Sequence, residues 1–189
     1  MPTHVALLRG INVGGRNKVA MADLRQLVTE LGHTDVATYI QSGNVLFSTG
    51  QSDTAALAKA LEQAISATLT VHPSVVVLSR EELGQVARDN PYTGEPNLKA
   101  VHAIFLNATP GPDVATAVTE AVRTAAQRGS RDTAQLLGRT IFLHTPDGFG
   151  RSDLAIVLTR PSPPGGGPGL TSTARNLATV TKLLALCGD

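Results

Sequence analysis

The fold is decided by the stretch VATYIQSGNVLFS, residues 36–48. β-branched and aromatic residues lie on both sides of Gly43-Asn44, two residues that tolerate the positive φ angles of a tight hairpin turn. The stretch therefore predicts two antiparallel strands joined by a short turn. Gln41, Ser42 and Asn44 have two interpretations: Ser and Asn are ordinary turn residues, and all three side chains are also able to hydrogen-bond a ligand.

The segments on either side of the hairpin complete a β-α-β-β-α-β order. Residues 5–8 and 75–78 are short, unbroken apolar runs, which are typical of strands covered on both faces. Apolar residues at helical spacing predict a first helix that ends at Gly32 and a second over residues 53–68. This order is the split βαβ unit of ferredoxin-like domains.

The second half of the chain nearly repeats that order after a connecting helix over residues 81–88. The predicted elements are strands at 101–106, 134–137 and 140–144, a helix around 114–122, and an apolar segment at 154–158 that fits either helix or strand. The Pro/Gly-rich residues 161–169 predict a loop, and Thr173 is predicted to begin a final helix. We expect an α+β protein with two related ferredoxin-like halves, residues 1–79 and 80–189, plus a C-terminal helix.

Composition excludes several classes of function. The 189 residues are 42% hydrophobic and 16% charged, which is typical of a globular protein. The net charge of +1 provides no global field that would attract nucleic acid, so any anion site must be local. No apolar run reaches the ~18–20 residues that span a bilayer, and no secretion signal is visible. We expect a cytoplasmic protein without a membrane partner; the oligomeric state is not predicted.

Metal and thiol chemistry have little support in the sequence. Cys187 is the single cysteine, which excludes an intrachain disulfide framework and a multi-thiolate zinc site. The five histidines lack close ligand spacing, and Ser42 lacks the G-x-S-x-G context of a nucleophile elbow. We therefore predict no metal and no cofactor, and we assign no catalytic residue.

The strongest chemical signal is the loop RGINVGGRNK, residues 9–18, which follows the first strand. Gly10 and Gly15 have P-loop spacing, but Arg16 and Asn17 stand where a P-loop has lysine and a hydroxyl residue. A nucleotide loop of that kind is thus excluded. Glycines still allow backbone N–H groups to converge on an anion, and Arg9 supplies a positive charge beside them. The alternative is a tight turn with solvated charges.

The C-terminal region carries two further basic motifs. In a helix that begins at Thr173, Arg175, Thr179 and Lys182 would share one face, and the helix start would be capped by residues 171–173. The alternative is an ordinary amphipathic helix with a wet polar face. In Gly150-Arg151-Ser152-Asp153, Arg151 is a candidate anion contact, and Ser152 is a candidate N-cap.

Several of these motifs together resemble the bacterial domain-of-unknown-function family 1697. The matching segments are ALLRGINVGG at 6–15, NKV at 17–19, MADL at 21–24, YIQSGNV at 39–45, GRS at 150–152, TARN at 173–176, TV at 179–180 and KL at 182–183. The resemblance implies a two-lobed α+β fold. It implies no particular activity, because the family's own activity is unassigned. The chain departs from the family pattern at Leu177, where the family usually has tryptophan, and at the Pro/Gly-rich residues 161–169.

The motifs that carry the resemblance are polar, glycine-rich and basic, which favours a shared binding site over packing. We expect a binding module for a phosphate-bearing or other small anionic ligand; the alternatives are an enzyme that acts on such a ligand by phosphoryl or acyl transfer, and weak binding of nucleic acid. The expected ligand-binding residues are Arg9, Gly10, Asn12, Gly14, Gly15, Gln41, Ser42, Asn44, Arg151, Arg175, Asn176 and Lys182.

Overall fold

A computed structural model describes residues 1–188 as two successive βαββαβ arrangements. The first consists of β1 (His4–Arg9), α1 (Met21–Glu30), β2 (Thr34–Tyr39), β3 (Asn44–Ser48), α2 (Thr54–Leu69) and β4 (Ser74–Ser79). It is followed by α3 (Arg80–Arg88), β5 (Val101–Leu106), α4 (Pro112–Gln127), β6 (Thr133–Leu137), β7 (Thr140–His144), a 3-10 turn (Phe149–Arg151), α5 (Asp153–Leu158), β8 (Ser172–Asn176) and α6 (Leu177–Leu186).

The first four strands form an antiparallel sheet in the order β2-β3-β1-β4. Leu24 of α1 and Leu61 of α2 pack on one face of this sheet, in a core that includes Leu8 and Phe47. The opposite face is also withdrawn from water, since Leu7 of the central strand is fully buried. The unbroken apolar runs reflect this burial of both faces, as the sequence predicts.

The second sheet has the equivalent order, β6-β7-β5-β8. Val118 of α4 and Leu158 of α5 pack on one of its faces together with Ile104 of the central strand. The α+β class with two ferredoxin-like halves is therefore confirmed. The apolar segment 154–158 is helix α5, and its cap is Ser152, whose Oγ accepts a hydrogen bond from the Ala155 N–H at 2.8 Å.

By compactness, the chain divides into a first unit, Met1–Gln85 with the residues from 182 onward, and a second unit, Val86–Thr181. Helices α3 and α6 each continue along the chain from one unit into the other. The sequence predicts two halves, residues 1–79 and 80–189, each with one β-α-β-β-α-β order. This domain boundary stays a prediction.

The C-terminal segment corrects one expectation, because the final helix begins at Leu177 and not at Thr173. Residues 172–176 instead form β8, which pairs with β5 from Ser172 opposite Leu106 to Asn176 opposite His102. A fourth strand completes the second sheet, and this long-range pairing overrides a helical periodicity that is only local. The cap of α6 is Asn176, whose Oδ1 accepts from the Thr179 N–H at 2.8 Å, so residues 171–173 do not cap it.

The Pro/Gly-rich residues 161–169 contain no helix or strand, as expected. Asn107 holds the end of this loop: its Nδ2 donates to the Gly169 carbonyl at 3.0 Å, and its Oδ1 accepts from the Thr171 N–H at 2.9 Å. Gly165 lies directly against the Asp113 backbone, where a Cβ would not fit. None of the helices in residues 1–188 has the length and apolar character needed to cross a membrane.

The hairpin between β2 and β3 turns at Gly43, which has a φ of +77°. A Cβ at this position would lie 2.8 Å from both the Leu8 Cβ and the Ile11 Cδ1. The Gly43 carbonyl also accepts a hydrogen bond from the Leu8 N–H at 2.8 Å. Gly43 is thus required by its backbone angle and by its close approach to β1.

We predict that Gly43→Ala lowers the free energy of unfolding by about 2 to 4 kcal/mol, from the left-handed backbone and the overpacked contact together. The control is Gly50→Ala, at an exposed position where an added Cβ meets no atom within 4 Å. We expect the control to change stability by less than about 0.5 kcal/mol. Urea unfolding measures the free energy of unfolding of both variants. Equal losses of this free energy would show that the close approach of Gly43 to β1 does not matter.

Candidate functional site

The loop that follows β1, residues 10–18, is called the first loop and folds back on itself as a miniature hairpin. Val13 and Arg16 form an antiparallel bridge in which the Arg16 N–H donates to the Val13 carbonyl at 3.0 Å. The Asn12 N–H donates to the Asn17 carbonyl at 3.0 Å. The tip of this loop is therefore Gly14-Gly15, and both glycines have positive φ angles, +56° and +77°.

The side chain of Asn12 fixes the loop in place. Its Nδ2 donates to the carbonyls of Val19 and Gln41, both at 3.0 Å, and its Oδ1 accepts from the Val19 N–H at 2.9 Å. Both N–H bonds of the carboxamide are used in this way. Asn12 thus joins the loop to Val19, two residues before α1, and to the turn between β2 and β3. Its φ of +53° is one that asparagine adopts more readily than most residues.

The tip that Asn12 positions is open to solvent. Gly14 and Gly15 are exposed, and an added Cβ at either position would meet no atom within 4 Å. Their backbone N–H groups donate to no other group among residues 1–188. Packing thus does not require glycine at these positions, whereas their positive φ angles do. The two glycines present backbone donors on an unobstructed surface.

Three cationic side chains belong to the same loop. Arg16 and Lys18 are exposed, and Arg9 is half-buried at the end of β1. Burial lowers the pKa of the Arg9 guanidinium. Because an arginine remains charged at neutral pH even so, desolvation makes a nearby anion a favourable partner for Arg9.

The turn at residues 40–44 ends in Asn44, the first residue of β3, and the side chain of Asn44 organises it from within. This side chain is fully buried, and its Nδ2 donates to the Tyr39 carbonyl at 2.9 Å and to the Ser42 Oγ at 3.0 Å. An amide that donates to a hydroxyl oxygen does not take up the hydroxyl proton, so this contact orients Ser42 without activating it as a nucleophile. Asn44 and Asn12 are thus positioning residues in this structure, and their contact with a ligand stays a prediction.

The remaining predicted residues lie on other elements. Arg175 is buried on strand β8, where its Nη1 donates to the Thr173 Oγ1 at 3.0 Å and to the Ala174 carbonyl at 2.8 Å. The expected helix face of Arg175, Thr179 and Lys182 is wrong, because Arg175 is not in the helix. Lys182 is exposed on α6. The structure brings together the first loop and the turn at 40–44.

Arg151 lines a groove of about 510 Å³ in the second unit, which sequence reasoning missed. The groove lies between the C-terminal part of α4, the turn at residues 128–132 and the segment 147–157. Asp132 is buried in its wall, and the Asp132 Oδ2 accepts a hydrogen bond from the Ser152 Oγ at 2.6 Å. Twenty residues separate this pair, so no local spacing reveals it; the only signal was the N-cap role of Ser152.

A buried histidine lies near the same segment of the second unit. His102 stacks on Phe149 with ring centroids 4.0 Å apart, and its Nδ1 has no hydrogen-bond partner among residues 1–188. Burial lowers the pKa of His102 to about 4. The structure of residues 1–188 contains no cluster of three His, Cys, Asp or Glu residues suited to hold a metal ion.

Comparison with known proteins places the chain in a family. The model of the family described as "Protein of unknown function (DUF1697)" matches residues 1–142. The chain belongs to this family. The range of the DUF1697 match includes the first loop and the turn at 40–44, and it ends before Arg151.

A solved structure supports the same assignment. The chain is similar to the conserved bacterial protein SP0830 from Streptococcus pneumoniae, with 27% sequence identity, a TM-score of 0.68 and 98% of each chain covered. None of the curated proteins compared with this DUF1697 chain matches it. The match to the DUF1697 model confirms the expected family and leaves the activity open.

We predict that Asn12→Asp loosens the first loop. The substitution keeps an acceptor for the Val19 N–H and replaces two donated hydrogen bonds with a carboxylate facing two carbonyl oxygens. We expect a loss of about 2 to 3 kcal/mol and faster amide hydrogen exchange at residues 12–19. Urea unfolding and exchange measured by NMR provide the two readouts, and unchanged exchange in the loop would show that Asn12 does not position it.

A second prediction concerns the pH dependence that His102 gives to stability. An unfolded histidine titrates near 6.5, so between about pH 6.5 and 4 the unfolded chain binds more protons than the folded chain. The His102 contribution is thus complete above pH 6.5 and is lost as the pH falls, at up to about 1.4 kcal/mol per pH unit. His102→Leu should flatten this part of the profile. Urea unfolding at pH 7, 5.5 and 4.5 measures the free energy of unfolding of the variant and of the unaltered protein. If this free energy falls equally steeply with pH in both, His102 is not the source of the pH dependence.

Proposed function

We propose that this protein binds a small ligand that carries a phosphate or another anionic group, at the first loop. The observation that supports the proposal best is the geometry of Gly14 and Gly15. Their backbone donors are exposed and unused, and they lie at the tip of a loop whose shape Asn12 fixes through three hydrogen bonds. Preorganised backbone N–H groups of this kind bind anions without losing energy to rearrangement.

The charge of the loop supports an anionic ligand over a neutral one. Arg9, Arg16 and Lys18 precede the first acidic residue of the chain, Asp23. The positive potential is therefore confined to the loop in a protein whose total charge is close to neutral. A compact anion benefits from such a local field, whereas a long polyanion needs a basic surface that extends further. This difference favours a small ligand over nucleic acid.

The turn at 40–44 provides the neighbouring wall of the proposed site. The Gln41 carbonyl accepts from Asn12, which ties the turn to the loop, and the side chain of Gln41 is exposed beside it. Gln41 and Ser42 supply amide and hydroxyl groups for the neutral part of the ligand. Arg151, Arg175, Asn176 and Lys182 are not needed for this site, and their contact with the ligand stays a prediction.

Titration with inorganic pyrophosphate, followed by ¹H–¹⁵N NMR on the full chain, tests the proposal. We expect saturable shifts in the amides of Gly14, Gly15 and Arg16. Arg16→Gln should weaken binding about five- to tenfold, since it removes one exposed charge-assisted contact. The matched control, Lys59→Gln, removes an exposed positive charge from α2 of the same unit and should leave the affinity unchanged.

Two results would overturn the proposal: no saturable shift in the loop, or equal weakening by Arg16→Gln and Lys59→Gln. Equal weakening would indicate nonspecific attraction by net charge. The same samples, incubated with nucleotides and sugar phosphates, separate a binding protein from an enzyme. If the unaltered protein releases inorganic phosphate from these compounds and Arg16→Gln releases less, the result would favour an enzyme that transfers a phosphoryl group to water.

A further inference from the structure

The groove in the second unit has the dimensions of a small-molecule site. Its volume of about 510 Å³ falls within the range of roughly 300 to 1,000 Å³ that such sites occupy. Every wall belongs to the second unit, so the groove is complete within one compact body. Ala121 and Ala125 of α4 and Leu154 and Val157 of α5 give it an apolar lining.

One wall of the groove holds a buried carboxylate. Asp132 is only 6% exposed, and its Oδ2 accepts from the Ser152 hydroxyl at 2.6 Å. Asp132 forms no ion pair among residues 1–188. The adjacent Arg131 attracts it only at longer range, because the Arg131 guanidinium is paired in two-point contact with Asp147. A buried carboxylate without a close cation favours a ligand that brings one.

Positive charge is present on the same groove. Arg128 and Arg151 line it, both are exposed, and neither forms an ion pair among the described residues. Two of the other acidic lining residues form ion pairs, Glu120 with Arg123 and Asp147 with Arg131. Arg151 also attracts Asp147 at longer range. The last, Asp153, is exposed at the first turn of α5. The groove therefore presents both signs of charge around an apolar lining.

We propose that this groove binds a small zwitterion with an apolar body, of the chemical class of an apolar amino acid. The ammonium group of the ligand pairs with Asp132, its carboxylate pairs with Arg151, and its side chain lies against Leu154 and Val157. Ser152 holds the Asp132 carboxylate in position through their hydrogen bond, while its Oγ accepts from the Ala155 N–H and caps α5. The proposal is independent of the anion site at the first loop.

Three probes that share a phenylethyl body and differ in their charged groups test the assignment. They are L-phenylalanine, phenethylamine, which lacks the carboxylate, and 3-phenylpropionate, which lacks the ammonium group. Each is titrated into the full chain and followed by ¹H–¹⁵N NMR. We expect saturable shifts at Gly129, Asp132 and Ser152, with L-phenylalanine bound at least fivefold more tightly than either analogue. The first loop should not shift, which separates this test from that of the anion site.

Two variants assign the two charges. Asp132→Asn keeps an acceptor for Ser152 and should weaken L-phenylalanine and phenethylamine at least fivefold, while it leaves 3-phenylpropionate unchanged. Arg151→Gln alters an exposed residue and should weaken L-phenylalanine and 3-phenylpropionate instead. If Asp132→Asn fails to fold, the relative affinities of the three probes for the unaltered chain and for Arg151→Gln still test the proposal. No saturation by L-phenylalanine, or an affinity for 3-phenylpropionate equal to that for L-phenylalanine, would overturn the proposal.

Discussion

The shape of the first loop depends on the three hydrogen bonds of the Asn12 carboxamide. Backbone groups in a loop lack the partners that helices and sheets provide, and a side-chain amide supplies them here. Asn12 bonds the Val19 and Gln41 backbones, so it holds three segments together: the first loop, the residues before α1 and the turn between β2 and β3. The Gly14-Gly15 tip has a fixed shape because of this constraint.

Most of the fold was predictable from the sequence, because burial on both faces leaves a strong apolar signal. The segments 5–8, 75–78 and 101–106 all lie in strands. The predicted hairpin also forms, but Asn44 does not share a two-residue turn with Gly43, because it is the first residue of β3 and lies opposite Tyr39. Strand β8 was not predictable in this way. Its residues, STARN, contain no apolar run, and they become a strand by pairing with β5, about seventy residues earlier in the chain. Thr173 is buried by that pairing, although its sequence context favours a helix start.

The roles of individual polar side chains were less predictable, for a reason that Asn12, Asn44, Ser152 and Asn176 share. Each of these polar side chains bonds backbone groups: Asn12 and Asn44 in the first loop and the turn, Ser152 and Asn176 at helix starts. A sequence shows the polar group but not the backbone atom it bonds, whose position depends on the completed fold. Spacing therefore does not separate a ligand contact from a structural one. The structure identifies the backbone bonds of these four side chains, and it leaves the N–H groups of Gly14 and Gly15 without a partner among residues 1–188. That these two donors bind a ligand is our proposal.

A crystal structure of the protein with inorganic pyrophosphate tests the central claim most directly, because it shows the anion and the Asn12 contacts together. We expect an anion bound to the N–H groups of Gly14 and Gly15, beside Arg16, with the three Asn12 hydrogen bonds unchanged. An anion held elsewhere, or a loop that must abandon the Asn12 contacts to bind it, would contradict the account.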